Sequence, residues 1–309
     1  MKKILAILVA LTMILATLGM TAFAEEGYKI GILAPAVTHG WVAAVAYNAE
    51  QRCIELGLDY KVATSNNAEE MTTQLSDMLL WGADAIVAFP QWEGMEDPIQ
   101  EALNEGVVVV NFDIDIAVDG VYKVTGDNYG MGVAGAEYIV DKIGTEGTVV
   151  ALTVPTSGSV NELRMQGFKD KIAEIAPDMV IKEYATEFTR EAGLADMADI
   201  LTAEEHIDAV YSLDDETSIG ALQAIDEAGR DDIKVITGGG GCQEYFNMMP
   251  NYENIWVQSA LYSPVMVKDA VDMAVSVLND EEVESPLVVP TGVVDRENYT
   301  EYLDENTPY

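Results

Sequence analysis

The chain has 309 residues, with 16 Lys plus Arg against 53 Asp plus Glu, a formal net charge of −37. That charge excludes nucleic acid as a partner, because phosphate binding needs a basic face that releases counterions, and it disfavours anionic membrane surfaces by the same repulsion. With 49% hydrophobic and 22% charged residues the chain can bury large cores, so disorder is ruled out as the main state and two domains, or one large one, are expected.

In chain order the first feature is Met1, Lys2 and Lys3, then an apolar run from Ile4 to Leu18, then "GMTAFAEE". This is the order of a secretory signal, with Ala22 and Ala24 as the cleavage pattern, and a signal peptide over residues 1–24 is expected. The run is short for a bilayer span, and no cysteine near the cleavage point offers a lipid anchor. The mature protein is therefore expected to be soluble and exported, periplasmic or extracellular.

Short β-branched runs then alternate with amphipathic stretches, the cadence of a parallel sheet covered by helices. Strands are predicted at "YKIGILAP" from Tyr28, "DYKVAT" from Asp59, "DAIVAFP" from Asp84 and "GVVVVNFD" ending at Asp113. The helices between them stop at Gly57, Gly82 and Gly106, as a C-terminal cap prefers. The second half repeats the plan with "GTVVALTV", "DMVIKEYAT", "DAVYSLD" and "IKVITGG". Two local echoes, "DYKVAT" with "DMVIKEYAT" and "DAIVAF" with "DAVYSL", lie 119 and 124 residues apart. One α/β unit used twice predicts two doubly wound parallel-sheet lobes, with ligand-facing loops at the C-terminal strand ends.

Catalytic and cofactor patterns fail on inspection. Gly130, Gly132 and Gly135 have dinucleotide-type spacing, but the next strand ends in "LTVPT" without the acid that would hold a ribose; the plainer reading is close approach of a helix to a neighbouring backbone. Gly238 to Gly241 continue into Cys242, Gln243 and Glu244 rather than Lys and Ser, so they are read as a loop where backbone approaches a ligand or the other lobe. No G-x-S-x-G elbow occurs. His39 and His206 are far apart and belong to no metal pattern, and Cys53 and Cys242 read as free buried thiols. No cofactor, no metal and no catalytic residue are expected. An exported sugar-modifying enzyme is the competing class, and it lacks a recognisable base or nucleophile.

What remains is a set of polar and aromatic residues at strand ends: His39 and Trp41 in "APAVTHGW", Gln91 and Trp92 after "AFP", Asp113 and Asp115 in "NFDID", Asn128 in "GDN", and Asp214 with Asp215 in "VYSLDD". A carboxylate accepts hydroxyl hydrogen bonds and a flat ring covers the apolar face of a sugar, so the set describes a polyol site. Asp113 is the strongest member, since an acid closing an apolar strand has no packing reason to be there.

With "NFD", "GDN", "RMQGF" from Arg164 to Phe168 and "LDDETSIGALQAIDEAG" from Leu213 to Gly229, the chain resembles the type I periplasmic binding proteins, in particular the ribose-binding-like receptors of ABC sugar transporters. The resemblance implies two lobes joined by three crossings, near Gly126 to Asn128, Tyr262 to Pro264 and Ser285 to Pro286. One lobe then comprises residues 25–126 and 264–285, the other 127–263 and 286–309. It assigns stacking to Trp41, hydroxyl binding to Asp113, reach across the cleft to Arg164, and further hydroxyl contacts to Asn128 and Asp214, with Tyr262 counted among the ligand residues. The implied partners are a small neutral sugar or polyol and the membrane permease subunits of an ABC importer, met as a monomer. Ile114 stands where ribose receptors carry an arginine, which argues against D-ribose; the "FDID" segment and the tail are more similar to receptors for rhamnose or autoinducer-2.

Overall fold

The computed structural model describes residues 27–36, 40–304 and 307–309. The expected signal peptide lies outside these residues, as does His39. Among the described residues no helix is long and apolar enough to cross a membrane.

The first lobe is built from β1 (Lys29–Pro35), α1 (Gly40–Leu56), β2 (Asp59–Ser65), α2 (Ala68–Trp81), β3 (Ala85–Ala88), α3 (Glu96–Asn104), β4 (Val108–Phe112) and β5 (Tyr122–Gly126). The second continues with α4 (Asn128–Ile143), β6 (Thr148–Thr153), α5 (Ser159–Ile175), β7 (Val180–Ala185), α6 (Arg190–Ala203), β8 (Ala209–Ser212), α7 (Asp215–Ala228), β9 (Val235–Gly239), α8 (Gln243–Met248) and β10 (Trp256–Ala260). Helix α9 (Val267–Leu278) returns to the first lobe, followed by β11 (Leu287–Val289) and β12 (Val293–Asp295). The sheets run β11-β5-β4-β3-β1-β2 and β12-β10-β9-β8-β6-β7. Leaving aside β11 and β12, both have the same order of units, with a reversal beside β1 and beside β6, where open α/β sheets bind ligands.

Burial on both faces explains why the strands read as nearly unbroken apolar runs. Along β1, Ile30 and Ile32 pack in the cluster containing Val45 of α1 and Val271 of α9, while Leu33 packs with Met71 and Leu75 of α2. The predicted stops behave as caps: Gly57, Gly82 and Gly106 have φ of 69°, 79° and 86°. Cys53 and Cys242 are free and buried, and burial pushes each thiol up to about 12.

The spacing of Gly130, Gly132 and Gly135 serves packing. A Cβ on Gly132 would lie 2.1 Å from the Arg164 carbonyl oxygen, and one on Gly167 would lie 2.1 Å from that of Tyr129, so α4 and α5 cross backbone to backbone. Gly193 and Gly220 repeat the device between α6 and α7, at 2.2 and 2.1 Å from carbonyls of the facing helix. Because backbone cannot retreat as a flexible side chain can, Gly132→Ala is expected to destabilise the protein by about 1–3 kcal/mol, read as a lower urea midpoint.

Among the described residues the chain passes between the sheets three times. Residues 126–128 lead from β5 into α4, and residues 261–263 lead from β10 back toward α9. The third passage differs from the expected Ser285 to Pro286: β11 pairs in parallel with β5, Val288 opposite Thr125, so the chain stays with the first sheet until Val289 and reaches the second only at β12. The apolar "LVV" run extends the first sheet by one strand, which boundary residues alone do not reveal. The passages are tied together, Asp127 N–H donating to the Val289 carbonyl at 2.9 Å and Leu261 N–H to that of Gly292 at 2.8 Å.

Candidate functional site

The C-terminal ends of both sheets face one cavity of about 410 Å³ between the lobes. Of the residues expected from the sequence, Trp41, Gln91, Trp92, Asp113, Asp115, Arg164, Asp214 and Tyr262 line it.

Its floor is aromatic. The Trp41 ring stacks on Phe112 at 6.2 Å between centroids, meets Phe89 edge-on at 6.0 Å and leans on Tyr262 at 5.6 Å. Trp41 begins α1 and packs inward, so it belongs to the core and to the cavity wall together; its indole N–H donates to the Tyr262 carbonyl at 2.7 Å.

Asp113 follows β4 directly with φ 68°, a left-handed conformation that Asp tolerates better than most residues. The residue is 6% exposed. Burial raises its pKa, opposed by the hydrogen bond from the Tyr262 hydroxyl and by the nearby Arg164 charge. Tyr262 Oη is a hub: it donates to Asp113 Oδ1 and accepts from Asn128 Nδ2 at 3.1 Å and from Gly126 N–H at 3.3 Å. The ring passes so close to Gly126 that a Cβ there would lie 2.2 Å from it.

Arg164, on α5, is equally fixed. Its Nε donates to Asn128 Oδ1 at 2.8 Å, its Nη1 to the Leu213 carbonyl at 2.7 Å, and its guanidinium lies 4.6 Å from the Tyr262 ring centroid. Nη2 has no protein partner among the described residues and remains available to a ligand. Asn128 departs from the expectation of direct ligand contact: it is not in the wall, because both ends of its amide are taken by Tyr262 and Arg164, and it positions them.

The remaining acids divide by use. Asp115 is paired with Lys123 at the rim, where its N–H lies 3.4 Å from Ser159 Oγ of the other lobe. Asp214 caps α7, accepting from Glu216 and Thr217 N–H at 3.1 and 3.3 Å, so much of its acceptor capacity is already used. Asp215 lies beneath the wall and pins the glycine loop: Oδ2 accepts from Gly241 N–H, Cys242 N–H and Ser259 Oγ, each at 2.9 Å.

Burial holds Asp214 up at about 7 and Asp215 at about 6. An unfolded chain ionises such groups near 3.9, so between about pH 4 and pH 7 the native state binds more protons than the unfolded one, and stability falls as pH rises through that window. Asp232, whose carboxyl is depressed by Arg230, acts in the opposite direction below it. Calorimetry is expected to show the melting temperature rising from pH 8 to about pH 5, and Asp215→Asn should flatten that rise; a steady fall over the same range would contradict it.

Sequence reasoning missed Phe89, Phe188, Tyr309 and the segment from Pro155 to Val160, all in the cavity wall. Phe89 and Phe188 follow β3 and β7, so the strand-end rule that selected Asp113 would have found them. Tyr309 gives no such signal, since nothing in its neighbourhood marks a cleft.

Residues 30–282 match the family model described as "Periplasmic binding protein domain". The ribose import binding protein of Bacillus subtilis strain 168 is 27% identical over 210 residues, covering 67% of this chain and 68% of that protein. The galactofuranose-binding protein of Escherichia coli K12 is 30% identical over 200 residues, covering 62% and 63%. Among solved structures, the periplasmic binding component of the arabinose ABC transporter from Shewanella sp. ANA-3, bound to L-arabinofuranose, superposes with a TM-score of 0.81 at 26% identity, covering 89% of this chain and 94% of that one. Two lobes of one topology, a cavity at their facing strand ends and a family match over most of the length agree: the chain belongs to the periplasmic binding protein family.

Proposed function

We propose that the protein is an exported receptor that captures a small neutral sugar or polyol between its lobes and delivers it to the membrane permease of an ABC importer. The observation that carries this reading is the cavity itself. A buried carboxylate, a guanidinium with a free terminal nitrogen and an aromatic floor converge on one space of about 410 Å³, large enough for a monosaccharide. Hydroxyls would bridge Asp113 and Arg164, and Trp41 with Phe89 would cover the ring's apolar face. Export rests on the N-terminal signal order, and relatives that bear binding-protein names support capture without turnover.

A deoxy sugar suits the site better than D-ribose, because Ile114, where the resemblance to ribose receptors leads one to expect an arginine, forms an apolar stretch of wall with Ile116. Relatives carry names for ribose as well as for galactofuranose and arabinofuranose, so pentoses and furanoses both belong in the screen. The test is a thermal-shift screen of pentoses, hexoses, deoxyhexoses, their furanose forms, polyols and autoinducer-2, followed by recovery of the best ligand. A sugar that raises the melting temperature and is returned unchanged supports the reading, while turnover of the sugar would replace it with an enzyme.

A further inference from the structure

The geometry points to Tyr309 as a closure and specificity residue of the cavity: its ring is a wedge clasped between the two lobes, forming a wall of the site that exists only while they are together. This deepens the receptor reading and rests on it for the ligand.

Tyr309 is far in sequence from every other wall residue, yet it is only 6% exposed. On one side it meets Gly40, the first residue of α1 in the first lobe, where a Cβ would lie 2.9 Å from its Cδ2. On the other it meets Gly240, in the loop after β9 of the second lobe, where a Cβ would lie 2.9 Å from its hydroxyl. Glycine at both contacts is what a ring gripped from two sides requires, and Gly240, at φ 138°, is also in a backbone region closed to other residues. Asp215 fixes this loop through the N–H groups of Gly241 and Cys242, so the second jaw is rigid.

Tyr309 lines both this cavity and a second, polar one lined by Arg190, Glu216 and Gln243, so it stands where the two meet. Removing it would join the two and admit water to the ligand. The hydroxyl has no protein partner among the described residues, so it is free to bond a ligand hydroxyl. A residue that touches both lobes acts on the closed form, and its loss therefore accelerates dissociation more than it slows association.

The experiment has a ligand-dependent and a ligand-free arm. With the best sugar from the screen, Tyr309→Ala should weaken binding by roughly tenfold or more, mostly through a faster off-rate. Tyr309→Phe should weaken it by about three- to tenfold and change the order of sugar preference. Gly40→Ala should reproduce part of the loss in wild type and add nothing in the Tyr309→Ala background, the signature of direct contact rather than general destabilisation. The ligand-free arm measures lobe separation by double electron–electron resonance between labels at the exposed Gln100 of α3 and Glu162 of α5. Tyr309→Ala should lengthen and broaden that distance. An unchanged distribution overturns the proposal even if no sugar binds, and an unchanged off-rate with a bound sugar overturns it while leaving the receptor reading intact.

Discussion

Asp113→Ala is expected to lower sugar affinity by one to four decades. The carboxylate is the buried acceptor at the end of β4, and each charge-assisted hydrogen bond to a ligand hydroxyl contributes roughly 1.5–3 kcal/mol; one or two such bonds, at about 1.4 kcal/mol per decade, give that range. Alanine also sits poorly at φ 68° and leaves the Tyr262 hydroxyl without its acceptor, so part of the loss passes through the passages between the lobes. Asp113→Asn separates these effects. It tolerates the left-handed backbone and keeps an acceptor for Tyr262, so it should fold as wild type does and still lose about a decade of affinity, measured by titration calorimetry. Wild-type affinity in Asp113→Ala would remove Asp113 from the site.

The second large effect is at Arg164, where stability and binding should fall together. Arg164→Met keeps the length of the side chain but leaves Asn128 Oδ1 and the Leu213 carbonyl without donors and takes a cation from beside Asp113. Removing one partner from a buried charged network costs about 3–5 kcal/mol, which for a chain of this size is a melting-temperature drop of roughly 6–12 °C. Binding should weaken at least tenfold beyond that, through loss of the Nη2 donor. Arg164→Lys retains charge but neither the guanidinium placed over the Tyr262 ring nor the two divergent donors, so it should fall between wild type and Met. A methionine variant that melts within a degree of wild type and binds within threefold would show that the guanidinium is peripheral.

The sequence exposed the lobes because their strands carry strong local signals. The apolar runs of β1, β4, β6 and β9 and the glycine stops of the first three helices depend on neighbouring residues alone, and the twofold use of one unit is visible in repeated strand texts. The site was legible where it obeyed the same logic. Asp113 stands out as an acid closing an apolar strand, and Trp41, Gln91 and Trp92 follow strand ends. Roles were harder to read than positions. Asn128 turned out to hold Arg164 and Tyr262, because which groups an amide meets depends on the crossing of α4 and α5, fixed by Gly132 and Gly167. Asp214 is taken up by capping α7, a local bond that "LDDET" could have suggested. The third passage was misplaced by a few residues because "LVV" pairs with β5 through contacts distant in sequence, and Tyr309 was invisible for the same reason.

Capture of a sugar between the lobes is tested most directly by titrating the purified, ligand-free protein with the best neutral sugar or polyol from the screen, following heat and the chemical identity of the recovered ligand in one experiment. A receptor of this kind should show one site per chain with micromolar or tighter affinity, about 8 kcal/mol or more, and return the ligand unaltered. Absence of saturable binding to any neutral sugar or polyol, or recovery of a chemically altered one, would contradict that reading.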